Sequence, residues 1–148
     1  MATVYLGLGT NLGQKEENLR TAVERINSEI GEVTSLSSFY ETAPWGFESD
    51  NSFLNAVACV SSSREPLEVL RITQRIEREL GRTLKSTNGH YHDRIIDIDI
   101  LLYDEEVIDK PELKIPHPLM TERSFVMDPL KEIAPDIVGT LTQKKRYE

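Results

Sequence analysis

The sequence contains a single cysteine, Cys59, so it cannot form an intrachain disulfide. This scarcity is typical of proteins from a reducing compartment, and we expect a cytoplasmic location. Basic residues are also in the minority, because 17 Lys and Arg stand against 25 Asp and Glu and leave a net charge of −8. This balance argues against a protein whose main task is to bind duplex nucleic acid or an anionic membrane, although a small nucleotide needs only a local basic site.

The sequence also lacks long apolar runs. No stretch approaches the roughly 18 apolar residues of a membrane-spanning helix. Residues 1–12 contain glycines but no basic head, so we expect no signal peptide. The 148 residues, 39% of them hydrophobic, are enough to build one core. We therefore expect a single domain that spans residues 1–148 and acts as a monomer.

Hydrophobic periodicity predicts the element order β-α-β-β-α-β. The predicted strands are residues 3–8, 33–40, 53–60 and 95–103, with a short edge strand at 106–108 beside the last of them; the predicted helices are 17–30, 67–80 and a short one near 121–133; the predicted loops are 41–52 and 82–93. Each long helix links two strands that run parallel, and the middle strands form a hairpin. This order predicts a ferredoxin-like α+β sandwich with both long helices on one face of the sheet and a C-terminal extension.

Two aspartates mark the last long strand. Asp97 and Asp99 are two residues apart, so both side chains leave the same face of the sheet, and the isoleucines between and beside them take the buried face. Two adjacent like charges repel, and a divalent cation such as Mg²⁺ removes that cost. The simpler interpretation is a solvated strand face that happens to carry two acids.

The segment before the acid pair is basic and contains two histidines. Arg82, Lys85 and Arg94 would suit phosphoryl transfer, in which arginines stabilise the transferring group. Alternatively, Arg82 and Lys85 interact favourably with the C-terminal end of the second helix. His90 and His92 together with a carboxylate would suit zinc, although a polar loop that holds two histidines is the simpler interpretation.

Aromatic residues form a further signal, because five of them fall within residues 39–53: Phe39, Tyr40, Trp45, Phe47 and Phe53. Trp45 and Phe47 lie in a predicted irregular loop, where flat rings would suit stacking on a flat heterocycle. The alternative is a loop folded over its own hydrophobic cluster. Asn55 follows on the third strand and offers both donors and acceptors to such a ring.

Gly7 and Gly9 precede the first helix, as glycines do in phosphate-binding loops. Their spacing matches neither the dinucleotide fingerprint nor the Walker pattern, since no Gly-Lys-Ser/Thr follows. The adjacent Thr10 and Asn11 are interpreted as turn or capping residues.

Several short motifs occur in a characteristic order: GLGTNLG at residues 7–13, SSFYET at 37–42, FLNA at 53–56, QRIE at 74–77, RIIDIDIL at 94–101, IPHP at 115–118 and RSFV at 123–126. With these motifs the chain resembles the 6-hydroxymethyl-7,8-dihydropterin pyrophosphokinase family of folate biosynthesis over nearly its whole length. The resemblance implies transfer of pyrophosphate from ATP to the hydroxymethyl oxygen of the pterin, with release of AMP, on a ferredoxin-like core.

The resemblance also implies roles for individual residues. Asp97 and Asp99 would hold two Mg²⁺ ions, and Arg82 and Arg94 would act on the transferring group. The residues expected to bind ATP are Gln74, Glu77, Lys85, His117 and Arg123. Those expected to surround the pterin are Thr42, Ala43, Trp45, Phe53, Asn55, Tyr91 and Phe125. The partners implied are the two small-molecule substrates.

The chain departs from the family pattern in three places, one of which is Phe53, where a tyrosine can occur. Tyr91-His92-Asp93 precedes Arg94 where members usually have Trp-Gly-Pro, and Glu112 and Lys114 stand where some members use Arg and Thr toward the nucleotide. The loop at residues 82–93 is expected to close over ATP, with Tyr91 as the cover of the pterin. The two alternatives to this function are a non-catalytic ferredoxin-like binding module and a zinc-dependent hydrolase.

Overall fold

The protein is described by a computed structural model over residues 1–43, 52–81 and 95–147, with side chains described as far as residue 141. Its strands are β1 (Ala2–Thr10), β2 (Glu32–Leu36), β3 (Tyr40–Thr42), β4 (Phe53–Ser62), β5 (Asp97–Tyr103), β6 (Ile108–Lys110) and β7 (Leu113–Ile115), and its helices are α1 (Lys15–Glu29), α2 (Pro66–Gly81), α3 (Ser124–Ile133) and α4 (Pro135–Tyr147). In these parts of the chain no helix is long and apolar enough to cross a membrane.

The main sheet has the strand order β2-β4-β1-β5, and each neighbouring pair is antiparallel. β1 and β2 both run antiparallel to β4 and therefore parallel to each other, and α1 connects them. In the same way, α2 connects β4 to β5 across β1. This is the predicted ferredoxin-like arrangement, in which crossover helices join non-adjacent parallel strands.

The larger core lies between the sheet and the pair α1 and α2. Apolar residues recur at steps of three and four on both helices, so each buries one stripe against the sheet. The fully or almost fully buried members are Leu19, Ala22 and Ile26 of α1, Val69, Ile72 and Ile76 of α2, and Val4, Leu6 and Leu8 of β1. The two predicted long helices therefore share one face of the sheet.

The turn after α1 brings the backbone very close to β4. The N–H groups of Ile30 and Gly31 both donate to the carbonyl of Ile26, at 2.9 and 3.2 Å, and end the helix. A Cβ atom on Gly31 would lie 2.1 Å from the carbonyl oxygen of Ser61. Only glycine therefore fits between α1 and β2, because a side chain here would displace either this turn or the backbone of β4.

Ion pairs join the outer sides of α1 and α2. Arg25 pairs with Glu29 on its own helix and with Glu79 on α2, and Arg75 of α2 pairs with Glu29. These side chains are partly exposed, so each pair contributes little to the free energy of unfolding. Their effect is to fix the two helices relative to each other.

A second, smaller core lies on the opposite face of the sheet. Tyr5, Val57 and Leu101 project from three adjacent strands, and α3 covers them with Val126 and Leu130. α4 packs its Ile137, Val138 and Leu141 on the outside of the same cluster. The C-terminal extension thus closes the face that α1 and α2 leave open.

The prediction of one strand over residues 33–40 is wrong, because the structure divides it into β2 and β3. Leu36 lies opposite Ala58, and Tyr40 lies opposite Asn55. The segment from Leu36 to Tyr40 therefore contains one residue more than the part of β4 that it faces. Ser37 fills the interruption: its hydroxyl accepts the N–H of Val57 at 2.9 Å. The predicted loop at 41–52 accordingly begins later, because β3 continues to Thr42.

The end of the chain also differs from prediction. The predicted edge strand at 106–108 is wrong: β6 begins at Ile108 and pairs with β7 in a separate hairpin, where Asp109 lies opposite Lys114 and forms an ion pair with it. The predicted helix near 121–133 is a short 3-10 turn, Met120–Glu122, followed by α3. α4 was not predicted; its first residue is Pro135, and proline suits the first turn of a helix.

Candidate active site

Asp97 and Asp99, together called the acid pair, begin β5. Both are half-buried on the face of the sheet that carries the second core, while Ile98 and Ile100 are 5% exposed on the face covered by α1 and α2. This confirms the predicted alternation. In the register with β1, Asp97 lies opposite Gly9 and Asp99 lies opposite Gly7.

The register continues across the sheet from the acid pair to an amide. Gly9 lies opposite Asp97 on one side and opposite Asn55 of β4 on the other. Neighbouring strands are about 4.8 Å apart, so the backbones at Asp97 and Asn55 are roughly 10 Å apart. Since Gly9 has no side chain, nothing on the strand between them fills this span. A two-ring heterocycle with a one-carbon arm can bridge it.

Gly9 and Gly7 differ in what lies above them. A Cβ on Gly9 would lie 3.0 Å from Oδ1 of Asn55 and 3.7 Å from Cδ1 of Phe53. The nearest atoms to a Cβ on Gly7 belong to the buried side chain of Leu101, at 3.4 Å. We call the space above Gly9, beside Phe53 and Asn55 of β4, the slot.

The amide of Asn55 is held in one orientation. It is 4% exposed, and its Nδ2 donates to the hydroxyl of Thr42 at 2.7 Å. Thr42 lies on β3 opposite Phe53. Because Nδ2 is engaged with Thr42, the Oδ1 atom of Asn55 faces Gly9 and can accept a hydrogen bond from a group in the slot.

The beginning of α3 links the slot to the acid pair. The guanidinium carbon of Arg123 lies 5.5 Å from the ring centroid of Phe125, within the range of a cation–π contact. Nη1 of the same Arg123 lies 4.0 Å from Oδ2 of Asp99. One arginine therefore contacts both the aromatic ring beside the slot and one member of the acid pair.

Glu77 of α2 reaches the start of β5 from the other side. Its Oε2 accepts the N–H of Ile98 at 2.8 Å. Burial, together with the carboxylates of Asp97 and Asp99, raises the pKa of Glu77 to about 8 against the opposing effect of that N–H. In the metal-free protein Glu77 is therefore protonated at neutral pH and adds no third negative charge. Gln74, one turn earlier, is exposed.

His117 is held by the main chain through its backbone and its ring. Its backbone N–H donates to the carbonyl of Leu101 at 3.0 Å, and its ring Nδ1 accepts the N–H of Leu119 at 3.3 Å. Partial burial lowers the pKa of His117, the guanidinium of Arg123 lowers it further, and Asp97 opposes both effects. The ring is therefore neutral at pH 7, with the proton on Nε2.

The structure brings together most of the described candidates. Asp97, Asp99, Glu77, His117 and Arg123 lie around the start of β5, and Thr42, Phe53 and Asn55 lie around the slot, with the exposed Ala43 next to Thr42. Phe125 contacts Arg123 and packs against the second core, on the same face of the sheet. The candidates Trp45, Arg82, Lys85, Tyr91 and Arg94, and the two histidines His90 and His92, lie outside the described residues.

Sequence reasoning missed the part played by Gly9. It was weighed only as a member of a phosphate loop, but it lies within β1. The signal was present, because Gly7 and Gly9 alternate with Leu6 and Leu8 at the period of a strand. Thr10 and Asn11 are 0% and 1% exposed and do not cap α1, whose N-cap residue is Gln14.

The comparison with protein families agrees with this geometry. The family model described as 7,8-dihydro-6-hydroxymethylpterin-pyrophosphokinase (HPPK) matches residues 5–135, which include every described member of the acid pair and the slot. The chain belongs to this family. Members are pyrophosphokinases, so the chain is identified as an ATP-dependent diphosphokinase of folate biosynthesis.

Curated relatives of the HPPK family match nearly the full length of this chain. The 2-amino-4-hydroxy-6-hydroxymethyldihydropteridine pyrophosphokinase of Porphyromonas gingivalis is 54% identical over 91% of this chain and 92% of its own. The enzyme of the same name from Aquifex aeolicus is 42% identical over 100% of this chain and 90% of its own. The one from Bacillus subtilis is 43% identical over 90% of this chain and 78% of its own.

Solved structures share the fold at low identity. Wild-type Plasmodium falciparum HPPK-DHPS with SDX-DHP is 18% identical, with a TM-score of 0.69 over 91% of this chain. The A437G form with SDX-DHP is 19% identical, with a TM-score of 0.73 over 90% of this chain. This chain spans only 40% and 42% of those two chains. The likeness supports the ferredoxin-like fold.

Proposed function

We propose that the protein transfers pyrophosphate from ATP to the hydroxymethyl group of 6-hydroxymethyl-7,8-dihydropterin and releases AMP. The observation that carries the proposal for this chain is the row Asp97, Gly9 and Asn55, which places an acid pair and a fixed amide at opposite ends of one bare span. The acid pair suits the phosphate end of such a reaction, and the amide suits the ring.

The donor set at the acid pair fits magnesium. Asp97 and Asp99 offer only carboxylate oxygens, on one face of one strand, and Mg²⁺ favours one or two carboxylates combined with phosphate oxygens and water. Burial raises the pKa of Glu77 most, and the carboxylates of Asp97 and Asp99 raise it further. We propose that Asp97 and Asp99 hold two Mg²⁺ ions, which would neutralise the charge of the triphosphate.

The slot fits the pterin ring. Phe53 and Phe125 provide aromatic faces, and Oδ1 of Asn55 can accept from a ring N–H or amino group. While Nδ2 of Asn55 donates to Thr42, this end of the slot presents an acceptor oxygen to the ring. We assign Ala43, Trp45 and Tyr91 to the same site from the family pattern.

The reaction needs the attacking oxygen and the leaving AMP to lie on opposite sides of the β-phosphorus. The hydroxymethyl oxygen forms the new P–O bond and loses its proton, and the bond from the β-phosphorus to the oxygen of AMP breaks. In our proposal, Arg82 and Arg94 stabilise charge on the transferring group, and Gln74, Glu77, Lys85, His117 and Arg123 position ATP. Arg123 suits this role because it already contacts Asp99.

Three further properties belong to the proposal. Residues 1–148 would form one domain, supported by the packing of α4 on the second core. The protein would act as a monomer on two small molecules. The single Cys59 and the acidic composition support a cytoplasmic location without nucleic-acid or membrane partners.

The test is incubation of the protein with ATP, Mg²⁺ and the hydroxymethyl pterin, with AMP and the pterin pyrophosphate measured by chromatography. AMP should appear only when the pterin is present. Asp97→Asn should remove it, and the matched control Asp109→Asn, which changes an exposed strand acid paired with Lys114, should not. Pterin binding without AMP would indicate a binding module. Zinc-dependent phosphate release without pterin would indicate a hydrolase, and either result would contradict the proposal.

A further inference from the structure

The carboxylate of Glu132, near the end of α3, receives four hydrogen bonds from two residues. The N–H of Ser38 donates to both oxygens at 3.0 and 3.1 Å, the hydroxyl of Ser38 donates at 2.9 Å, and the hydroxyl of Tyr40 donates at 2.6 Å. These bonds lower the pKa of Glu132, the one from Tyr40 most, so it is charged at neutral pH. Neither the fold nor the chemistry described above uses this residue.

The donors come from the interruption between β2 and β3. This segment contains one residue more than the part of β4 opposite it. The N–H of Ser37 donates to the carbonyl of Val57, and the hydroxyl of Ser37 accepts the N–H of Val57. The N–H of the next residue, Ser38, turns instead to Glu132 of α3. The extra residue therefore creates the attachment point for the helix.

The other end of α3 carries Phe125. Phe125 and Glu132 are seven residues apart, which is about two turns, so they lie on the same side of the helix, roughly 10 Å apart. β3 runs from Tyr40, which Glu132 binds, to Thr42, which orients Asn55. One end of α3 is thus attached at the start of β3, and the other end carries Phe125, which packs against the second core on the face of the sheet that holds the slot.

We propose that Glu132 is a positioning residue for the flat substrate, which fixes the distance of Phe125 from the floor formed by Phe53 and Asn55. This rests on the proposed function, because it takes the slot to be the pterin site. Val126 and Leu130 hold α3 against the sheet through the second core. The four bonds to Glu132 add a directional attachment at the far end of the helix.

The proposal predicts a selective effect on pterin binding. Glu132→Ala should weaken binding of the hydroxymethyl pterin about tenfold, because the ring loses its fixed aromatic wall. The KM for ATP should change less than about twofold, because Arg123 is the only residue placed around ATP that lies at the start of α3, whereas the acid pair and Glu77 lie on β5 and α2. Glu132→Gln, which keeps one acceptor oxygen, should restore part of the affinity.

A matched control is available on the opposite face. Glu29 is also a carboxylate with two partners, Arg25 and Arg75, and it joins helices that carry no part of the slot. Glu29→Ala should lower the melting temperature as much as Glu132→Ala and leave the pterin KM unchanged. Tyr40→Phe removes a single hydroxyl and should weaken pterin binding about threefold, with little further loss when combined with Glu132→Ala.

The experiment measures the KM of each substrate from AMP release, together with calorimetric titration of the pterin in the presence of Mg²⁺ and a non-hydrolysable ATP analogue. A rise in the pterin KM and dissociation constant alone supports the positioning role. Unchanged pterin affinity in Glu132→Ala, or an equal rise for both substrates, overturns it while the proposed function stands. A wild type that releases no AMP contradicts the proposed function and, with it, the role of Glu132.

Discussion

Substitution of Gly9 by alanine tests the floor of the slot. The added methyl group would approach Oδ1 of Asn55 to 3.0 Å, so the amide must move by a few tenths of an ångström. It would also occupy space above the strand that the substrate edge needs. Displacing one good hydrogen bond costs about 1–3 kcal/mol, so pterin affinity should fall roughly 5- to 150-fold.

Gly7→Ala is the matched control on the same strand. Its methyl group would meet only Leu101 at 3.4 Å, an ordinary contact beneath a side chain that already covers the site. Both substitutions replace glycine within a strand, so neither should lower the free energy of unfolding by more than about 1 kcal/mol. The difference between the two variants then isolates the position above Gly9.

The assay is calorimetric titration of the hydroxymethyl pterin into each variant with Mg²⁺ and a non-hydrolysable ATP analogue. We expect a lower pterin affinity only in Gly9→Ala and an unchanged affinity for the nucleotide in both. Binding of the pterin to Gly9→Ala within twofold of wild type would refute the reasoning, as would an equal loss in both variants.

Three other predictions concern charge and packing. Asp97→Asn or Asp99→Asn should lower turnover about a thousandfold or more at saturating Mg²⁺. Neither substitution should lower the melting temperature, because each removes one of two like charges from a half-buried strand. Wild-type turnover in either variant would contradict the magnesium site. In the metal-free protein, folded Glu77 keeps its proton up to about pH 8, whereas Glu77 of the unfolded chain loses it near its ordinary pKa. As the pH rises from about 5 to 8, the free energy of unfolding of wild type should therefore fall relative to that of Glu77→Gln, by at most about 4 kcal/mol. Denaturant titrations at several pH values measure this, and parallel curves would disprove it. Gly31→Ala should destabilise the fold by about 2–4 kcal/mol in the same titrations, because the Cβ would overlap the carbonyl of Ser61; a change below about 0.5 kcal/mol would show that the turn adapts.

The parts of the fold that depend on local periodicity were predictable from the sequence. The stripes of α1 and α2 and the alternation of Asp97 and Asp99 with buried isoleucines follow from the helix and strand periods alone. The division of β2 from β3 was not predictable, because it depends on Ser37 bonding to Val57, twenty residues away in sequence. The helical extension at α4 was not predicted, although Pro135 suits the first turn of a helix.

The candidate site divides in the same way. Individual residue types pointed to an acid pair and an aromatic, amide-bearing pocket, and the family pattern assigned them to two substrates. Their relative placement required the register between three strands, which brings Asp97, Gly9 and Asn55 into one row. Register is set by the packing of whole faces and by bulges, so a single sequence does not specify it. The attachment of Glu132 to Ser38 likewise joins residues 94 positions apart.

The two faces of the sheet differ in how firmly they are held. Among the described residues, the cluster beneath α1 and α2 has twenty buried members and the cluster beneath α3 has eight. Local opening requires less free energy where less apolar surface is buried, so we expect α3 and α4 to separate from the sheet before the sheet itself unfolds. Such an opening would withdraw Phe125 and Arg123 together, and Arg123 would leave Asp99 while the acid pair stays on β5. In the proposed function, warming would therefore weaken binding of both substrates while the strand that would hold the metal is still folded.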